Sequence, residues 1–79
     1  MEELSRAEVE QKVLEVIGIA TETDPSSYTM ETSLAEINLK SMQLISIAAL
    51  IEEKLGYGPN FRALMGMEKV GDIADYVLR

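Results

Sequence analysis

The sequence of 79 residues contains no cysteine and no histidine, and these absences exclude most of the chemistry that a small protein performs alone. Without cysteine there is no disulfide, no thiolate nucleophile and no cysteine-ligated zinc, and without histidine the usual general base and imidazole metal ligand are missing. A chain this short buries only about 60% of its unfolded surface, which leaves no room for a large enclosed active site. We therefore expect a single domain, residues 1–79, that is not an enzyme and works through its surface.

Positive charge is also scarce, because 7 Lys and Arg residues face 14 Asp and Glu residues, giving a net charge of -7. Proteins that bind nucleic acid neutralise phosphates with clustered basic residues, and no such cluster occurs here. No run of about 18 apolar residues predicts a membrane span, and Met1, Glu2 and Glu3 lack the pattern of a signal peptide. These features predict a cytoplasmic monomer with no nucleic-acid partner and no membrane span.

The first helix is predicted from a capping box, in which Ser5 and Glu8 each satisfy the other's free backbone N–H. Apolar residues then recur at helical spacing for about sixteen residues, and polar ones occupy the other face. The apolar residues are Val9, Val13, Val16, Ile17 and Ala20. Residues 21–40 show no helical or strand periodicity and are rich in Thr, Ser, Asp and Pro, so they predict a long loop. We expect Leu34, Ile37 and Leu39 to pack this loop against the core.

Ser41 stands directly before a run of good helix formers, residues 42–55, that Gly56 closes, and it is the expected N-cap. One apolar stripe of this second helix faces the predicted core; it consists of Leu44, Ile47, Ala48, Ile51 and Leu55. Met42, Ile45 and Ala49 fall on a neighbouring face. They belong either to a partner-binding surface or to the core, and the pattern does not choose between the two.

The remaining sequence predicts one short helix, capped by Asn60, and a final helix after Gly66. Apolar residues at helical spacing mark the final helix; they are Val70, Ile73, Ala74, Val77 and Leu78. The predicted fold class is therefore all-α. It is a four-helix bundle of three longer helices and one short third helix, with a long loop between helices 1 and 2.

Three blocks of the chain then follow one another in a familiar order and spacing. They are residues 32–42 around Ser41, residues 50–56 with their acidic pair, and residues 70–77 with Val70-Gly71-Asp72 and Tyr76. Together they resemble the acyl and peptidyl carrier proteins of fatty acid, polyketide and nonribosomal peptide synthesis, and the resemblance covers most of the chain.

The resemblance implies that Ser41 carries a covalent 4'-phosphopantetheine arm, added from coenzyme A by a phosphopantetheinyl transferase. The terminal thiol of the arm would hold the cargo as a thioester for acyl-loading and acyl-processing enzymes, such as a synthase or ligase. A fatty or polyketide acyl group is the expected cargo, and an aminoacyl or peptidyl group of a nonribosomal pathway is the alternative. A function of another class is an unmodified acidic helical module that binds a partner protein. An enzyme is the third and weakest hypothesis, because the sequence shows no cluster of polar residues that could form an active site.

Two residues depart from the family pattern. Lys40 stands where the family usually has Asp, and Asn38 stands where Gly is frequent. A cation at a helix N-terminus opposes the macrodipole, so Lys40 is either locally unfavourable and solvated or a partner for the arm's phosphate. The segment between Ile37 and Ile51 also has no acidic residue, although many acyl carriers present an acidic second helix.

Two further groups of residues have both a structural and a functional interpretation. The short third helix and the residues beside it are unusually apolar, with Phe61, Leu64, Met65 and Met67. These side chains either shelter an acyl chain or fill the core. We favour the core interpretation. Two acidic pairs could be mistaken for an acid-base or metal site; they are Glu52 with Glu53 and Asp72 with Asp75. Their spacing does not bring the carboxylates together, so we expect them to lie on a solvated face.

Overall fold

A computed structural model describes residues 5–37 and 39–78 of the chain. Five α-helices follow one another: α1 (Arg6–Thr21), α2 (Leu34–Ile37), α3 (Ser41–Leu55), α4 (Phe61–Met65) and α5 (Val70–Val77), with a 3-10 turn at Pro25–Ser27. This part of the chain contains no β-strand, so the all-α prediction is confirmed. The four predicted helices correspond to α1, α3, α4 and α5, and α2 is an extra turn within the predicted loop. Asn38 lies outside the described residues, and so do Met1, Glu2 and Glu3, on which the expected absence of a signal peptide rests.

The start of α1 is the capping box that the sequence predicts. Ser5 Oγ accepts a hydrogen bond from the backbone N–H of Glu8 at 3.2 Å, and Glu8 Oε1 accepts one from the N–H of Ser5 at 3.4 Å. The helix ends at Thr21, and the residue after it, Glu22, is the C-cap and has a left-handed backbone with φ 57°. Because both ends fall where the polar pattern changes, α1 has the sixteen residues expected of it.

The core lies where α1, α3 and α5 meet, and α4 and the long loop each contribute a side chain to it. All of its members are apolar: Val9, Val13, Val16, Ile17, Leu34, Ile47, Ile51, Leu64, Val70, Ile73 and Ala74. No polar or charged side chain is buried among the described residues. The hydrophobic effect therefore holds the helices together without a buried polar network.

The long loop is held against the connection between α4 and α5. Leu34 is buried, and Ile37 and Leu39 pack on the core, as predicted. The loop backbone also bonds to that connection, through Leu34 N–H to Glu68 C=O at 2.9 Å and Val70 N–H to Thr32 C=O at 3.0 Å. These bonds hold residues 32–34 of the loop, which precede α3, against the connection between α4 and α5.

Candidate functional site

Ser41 is the first residue of α3, and the expectation that it is the N-cap is wrong. Lys40 takes the N-cap position with an extended backbone, φ -87° and ψ 162°. The reason is that Gln43, three residues further on, binds the Lys40 N–H through its own side chain. Ser41 is exposed, and its hydroxyl bonds to no residue of segments 5–37 and 39–78, so it remains available for modification.

The first turn of α3 presents backbone N–H groups that have no partner within the helix beside that hydroxyl. The first bond of the helix runs from Leu44 N–H to Lys40 C=O at 3.0 Å, and the Lys40 side chain makes no capping bond to the turn. The N–H groups of Ser41, Met42 and Gln43 therefore have no intrahelical partner, and the helix dipole adds partial positive charge. With no acidic residue in this turn and Lys40 alongside, the site is favourable for an anion such as a phosphate.

Gln43 also connects the first turn of α3 to the end of α1. Its Nε2 donates a hydrogen bond to the C=O of Ala20 at 3.3 Å, while its Oε1 accepts from Lys40 N–H at 2.8 Å. Sequence reasoning missed this residue. Gln at the third helical position is the sequence mark of a capping box, but Lys40 in place of Ser or Thr at the cap obscured it.

The apolar residues on the neighbouring face of α3 are exposed. Met42 is 80% and Ile45 55% accessible, and Ala49 is also exposed, whereas Ile47 and Ile51 are fully buried on the opposite face. The core interpretation of Met42, Ile45 and Ala49 is therefore excluded. Large apolar side chains exposed on one face are typical of an interaction surface, which remains a hypothesis at this point.

An apolar cleft of about 280 Å³ opens between the loop, α3 and α4. Its walls are Leu34, Ala35, Leu39, Leu44, Leu64, Met65 and Met67. The expectation that the apolar residues of the third helix fill the core is correct for buried Leu64 and wrong for Met65, which is 64% exposed. Met67 packs partly against the core, and Phe61 is half-buried.

The carboxylates of the two acidic pairs either form hydrogen bonds within the fold or are exposed to solvent. Glu52 and Glu53 are exposed, as expected. Asp72 is more than a solvated residue: its Oδ2 accepts from the N–H of Glu68 at 2.9 Å and of Lys69 at 3.1 Å, and these bonds lower the pKa of its carboxyl. Asp75 Oδ1 accepts from Arg6 at 2.7 Å. Among the described residues, no group of three acidic side chains is placed to hold a metal ion.

Comparison with known proteins agrees with this arrangement. The model of the phosphopantetheine attachment site family matches residues 7–77, nearly the whole chain. An acyl carrier protein from Rhodococcus erythropolis (strain PR4 / NBRC 100887) is 35% identical over 72 residues, which cover 90% of this chain and 75% of the relative.

The chain therefore belongs to the phosphopantetheine-binding carrier family. Its cofactor is a covalently bound 4'-phosphopantetheine, and its members carry intermediates rather than catalyse reactions. Carriers of this family interact with phosphopantetheinyl transferases and with synthases. This membership removes the unmodified interaction module and the enzyme from the alternatives. No helix in the part of the chain described is long and apolar enough to cross a membrane.

Proposed function

We propose that the protein is an acyl carrier of fatty acid or polyketide-type biosynthesis, acting in the cytoplasm as a single carrier domain and monomer, with the arm on Ser41. The observation that carries the proposal is the hydroxyl of Ser41, which is exposed at the start of α3 inside the carrier-like block and bonds to no other residue that the structure describes. A phosphopantetheinyl transferase attaches the arm, and acyl-loading and acyl-processing enzymes use it.

Three residues of the first turn support the arm in different ways. Ser41 Oγ forms the phosphodiester, and the N–H groups of the turn, which have no partner within the helix, favour its negative charge. Lys40 adds a cation beside the same phosphate, and Gln43 holds the turn against α1. When bound, the arm supplies the thiol that this cysteine-free chain lacks, and that thiol holds the cargo as a thioester.

The cleft beside α3 favours an acyl cargo over an aminoacyl one. Its walls are apolar side chains, and no charged residue among those that the structure describes lines it. An aliphatic chain that enters such a cleft leaves water, whereas a charged amino group would lose hydration without a partner. The exposed Met65 at its edge adapts to irregular apolar ligands. An aminoacyl cargo of a nonribosomal pathway remains the alternative.

Intact mass after treatment with a phosphopantetheinyl transferase and coenzyme A tests the attachment site. The wild type should gain one phosphopantetheine, and Ser41→Ala should gain none. Ser46→Ala, which removes another exposed hydroxyl of the same helix, should be modified like the wild type. Because Ser41 does not cap α3, Ser41→Ala should retain the thermal stability of the wild type. Modification that persists in Ser41→Ala would contradict the assignment.

The cargo is tested by loading the same protein with a medium-length acyl group or with an aminoacyl group. Amide chemical shifts of Leu44, Leu64 and Met67 should change with the acyl group, because it enters the cleft that these residues line. The aminoacyl group should leave them close to those of the unloaded arm. Equal shifts with both cargoes would remove the argument for acyl selectivity.

A further inference from the structure

The side chain of Gln43 joins the turn that carries Ser41 to the end of α1. Its Oε1 accepts from Lys40 N–H at 2.8 Å, which closes a ring around the backbone of Ser41 and Met42. Its Nε2 donates to Ala20 C=O at 3.3 Å, across to α1. Both partners are backbone groups, one a donor and one an acceptor, so they fix the orientation of the half-buried amide. The backbone of Ser41 is thereby tied to a second helix.

The end of α1 is a fixed anchor for this bond. Thr21 Oγ1 donates to Ile17 C=O at 2.7 Å, and Thr23 N–H donates to Gly18 C=O at 2.9 Å. The hydroxyls of Thr21 and Thr23 lie 2.6 Å apart, and the hydroxyl of Tyr28 in the following loop bonds to both. The side chain at position 43 therefore ties the turn to a piece of backbone that other bonds already hold.

Glutamine at position 43 makes a connection that the other capping residue would not make. A capping box accepts Glu or Gln at the third helical position, and Glu would also suit the positive end of the helix dipole. A carboxylate, however, cannot donate a hydrogen bond to Ala20 C=O. Capping alone would therefore favour Glu, whereas the amide of Gln43 serves both bonds at once.

Resting on the proposed function, we propose that Gln43 is a positioning residue for attachment of the arm, and that its bond to Ala20 C=O sets the place of the Ser41 hydroxyl. In that reaction Ser41 Oγ forms a bond to the phosphorus that bears the pantetheine. The bond from this phosphorus to the adenosine bisphosphate part of coenzyme A breaks, and the hydroxyl proton passes to a base of the transferase. Misplacing a reacting atom by about 1 Å can slow a reaction about a hundredfold.

Two variants separate the two bonds of Gln43. Gln43→Glu keeps an acceptor for Lys40 N–H and suits the helix dipole, but it loses the donor to Ala20 C=O. It should melt close to the wild type, and the transferase should modify it with a kcat about tenfold lower at a similar KM.

Gln43→Lys has the opposite pair of effects. It keeps a donor for Ala20 C=O and loses the acceptor for Lys40 N–H, and its cation opposes the helix dipole. It should melt below the wild type and yet keep a kcat closer to the wild type than Gln43→Glu does. If kcat follows the melting temperature across the three proteins, Gln43 only supports the fold and the positioning proposal is overturned.

The bond to α1 is also measured without the enzyme, through the ¹³C chemical shift of the Ala20 carbonyl. This shift should change in Gln43→Glu and much less in Gln43→Lys. Ser46→Glu is the matched control for charge, because it adds the same charge at an exposed position three residues further on. It should leave the carbonyl shift unchanged. A fall in kcat for Ser46→Glu as large as that for Gln43→Glu would assign the loss to charge and overturn the proposal.

Failure of the proposed function has a different signature. If the wild type gains no arm, or if Ser41→Ala still gains one, Ser41 is not the attachment site and both proposals are overturned. If the wild type gains one arm on Ser41 and Gln43→Glu is modified with the same kcat, the proposed function stands and the positioning role of Gln43 is wrong.

Discussion

The side chain of Gln43 accepts a hydrogen bond from the backbone N–H of Lys40 at 2.8 Å, so the start of α3 is held by Lys40 and Gln43 without the side chain of Ser41. A serine that caps a helix uses its hydroxyl oxygen to accept a backbone N–H. Ser41 is instead the first residue inside the helix, after the N-cap Lys40, and its hydroxyl is exposed. Modification of Ser41 therefore removes no hydrogen bond on which the described helix depends.

Removing the Gln43 side chain should loosen the junction that presents Ser41. Gln43→Ala loses the bonds to Lys40 and to Ala20 C=O, each contributing about 0.5 to 1.5 kcal/mol, so the free energy of unfolding should fall by about 1 to 3 kcal/mol. Urea denaturation measures the change. Gln11→Ala, at an exposed position of α1, is the control and should have little effect. Equal stability of the two variants would show that Gln43 does not hold the junction.

Replacing Lys40 by Asp should stabilise the protein without its arm. Lys40 is the N-cap, and Asp is a preferred N-cap whose charge also suits the helix dipole, so a gain of about 1 kcal/mol is expected.

With the arm attached, the gain should shrink at low salt, because Asp repels the phosphodiester whereas Lys40 pairs with it. Thermal unfolding of both proteins, with and without the arm and at low and high salt, measures the difference. An equal effect of the arm on both proteins would mean that Lys40 does not sense the phosphate.

Adding one methyl group at Gly58 should destabilise the fold. A Cβ atom there would lie 2.5 Å from Cγ2 of Ile51, which is fully buried, so the core must shift. Gly58→Ala should cost about 1 to 3 kcal/mol in chemical denaturation. Gly66→Ala is the matched control, because its Cβ meets nothing closer than 3.7 Å. It should be neutral or slightly stabilising; a similar loss for both variants would contradict the close approach at Gly58.

Asp72 should make the stability of the protein dependent on pH in the acid range. The N–H groups of Glu68 and Lys69 hold the pKa of its carboxyl below the ordinary value, so the folded state favours the charged form. This stabilisation is complete above the unfolded pKa, about 3.9, and is lost as pH falls through the lower folded value.

Asp72→Asn should therefore be less stable than the wild type at neutral pH, and the two should converge in acid. Glu53→Gln, at an exposed carboxylate on the last turn of α3, is the control. The free energy of unfolding, measured between about pH 2 and 7, gives both curves. A constant difference between wild type and Asp72→Asn would exclude the carboxylate as the cause.

Local features of the structure were predictable from the sequence because they depend on residues close together in the chain. Ser5 with Glu8 predicts the start of α1, and Asn60 caps α4, with Oδ1 accepting the Ala63 N–H at 2.8 Å. Ile47 and Ile51 of the predicted α3 stripe are buried as expected, and its other members pack partly against the core. The carrier-like blocks likewise predicted the family, which the family match confirms, and Ser41 as the attachment site stays a prediction.

Features that join distant segments required the tertiary structure. The exposure of Met42 and Ile45 depends on which face of α3 turns toward α1, and the hydrophobic pattern alone allowed either side. The cleft exists because the loop bonds to residues 68–71, some 35 positions away, and no local spacing encodes that pairing. Helix periods and caps are short-range effects that the sequence by itself determines. Packing of one helix against another is a long-range effect, and it alone decided that α3 has a free apolar face beside the available hydroxyl of Ser41.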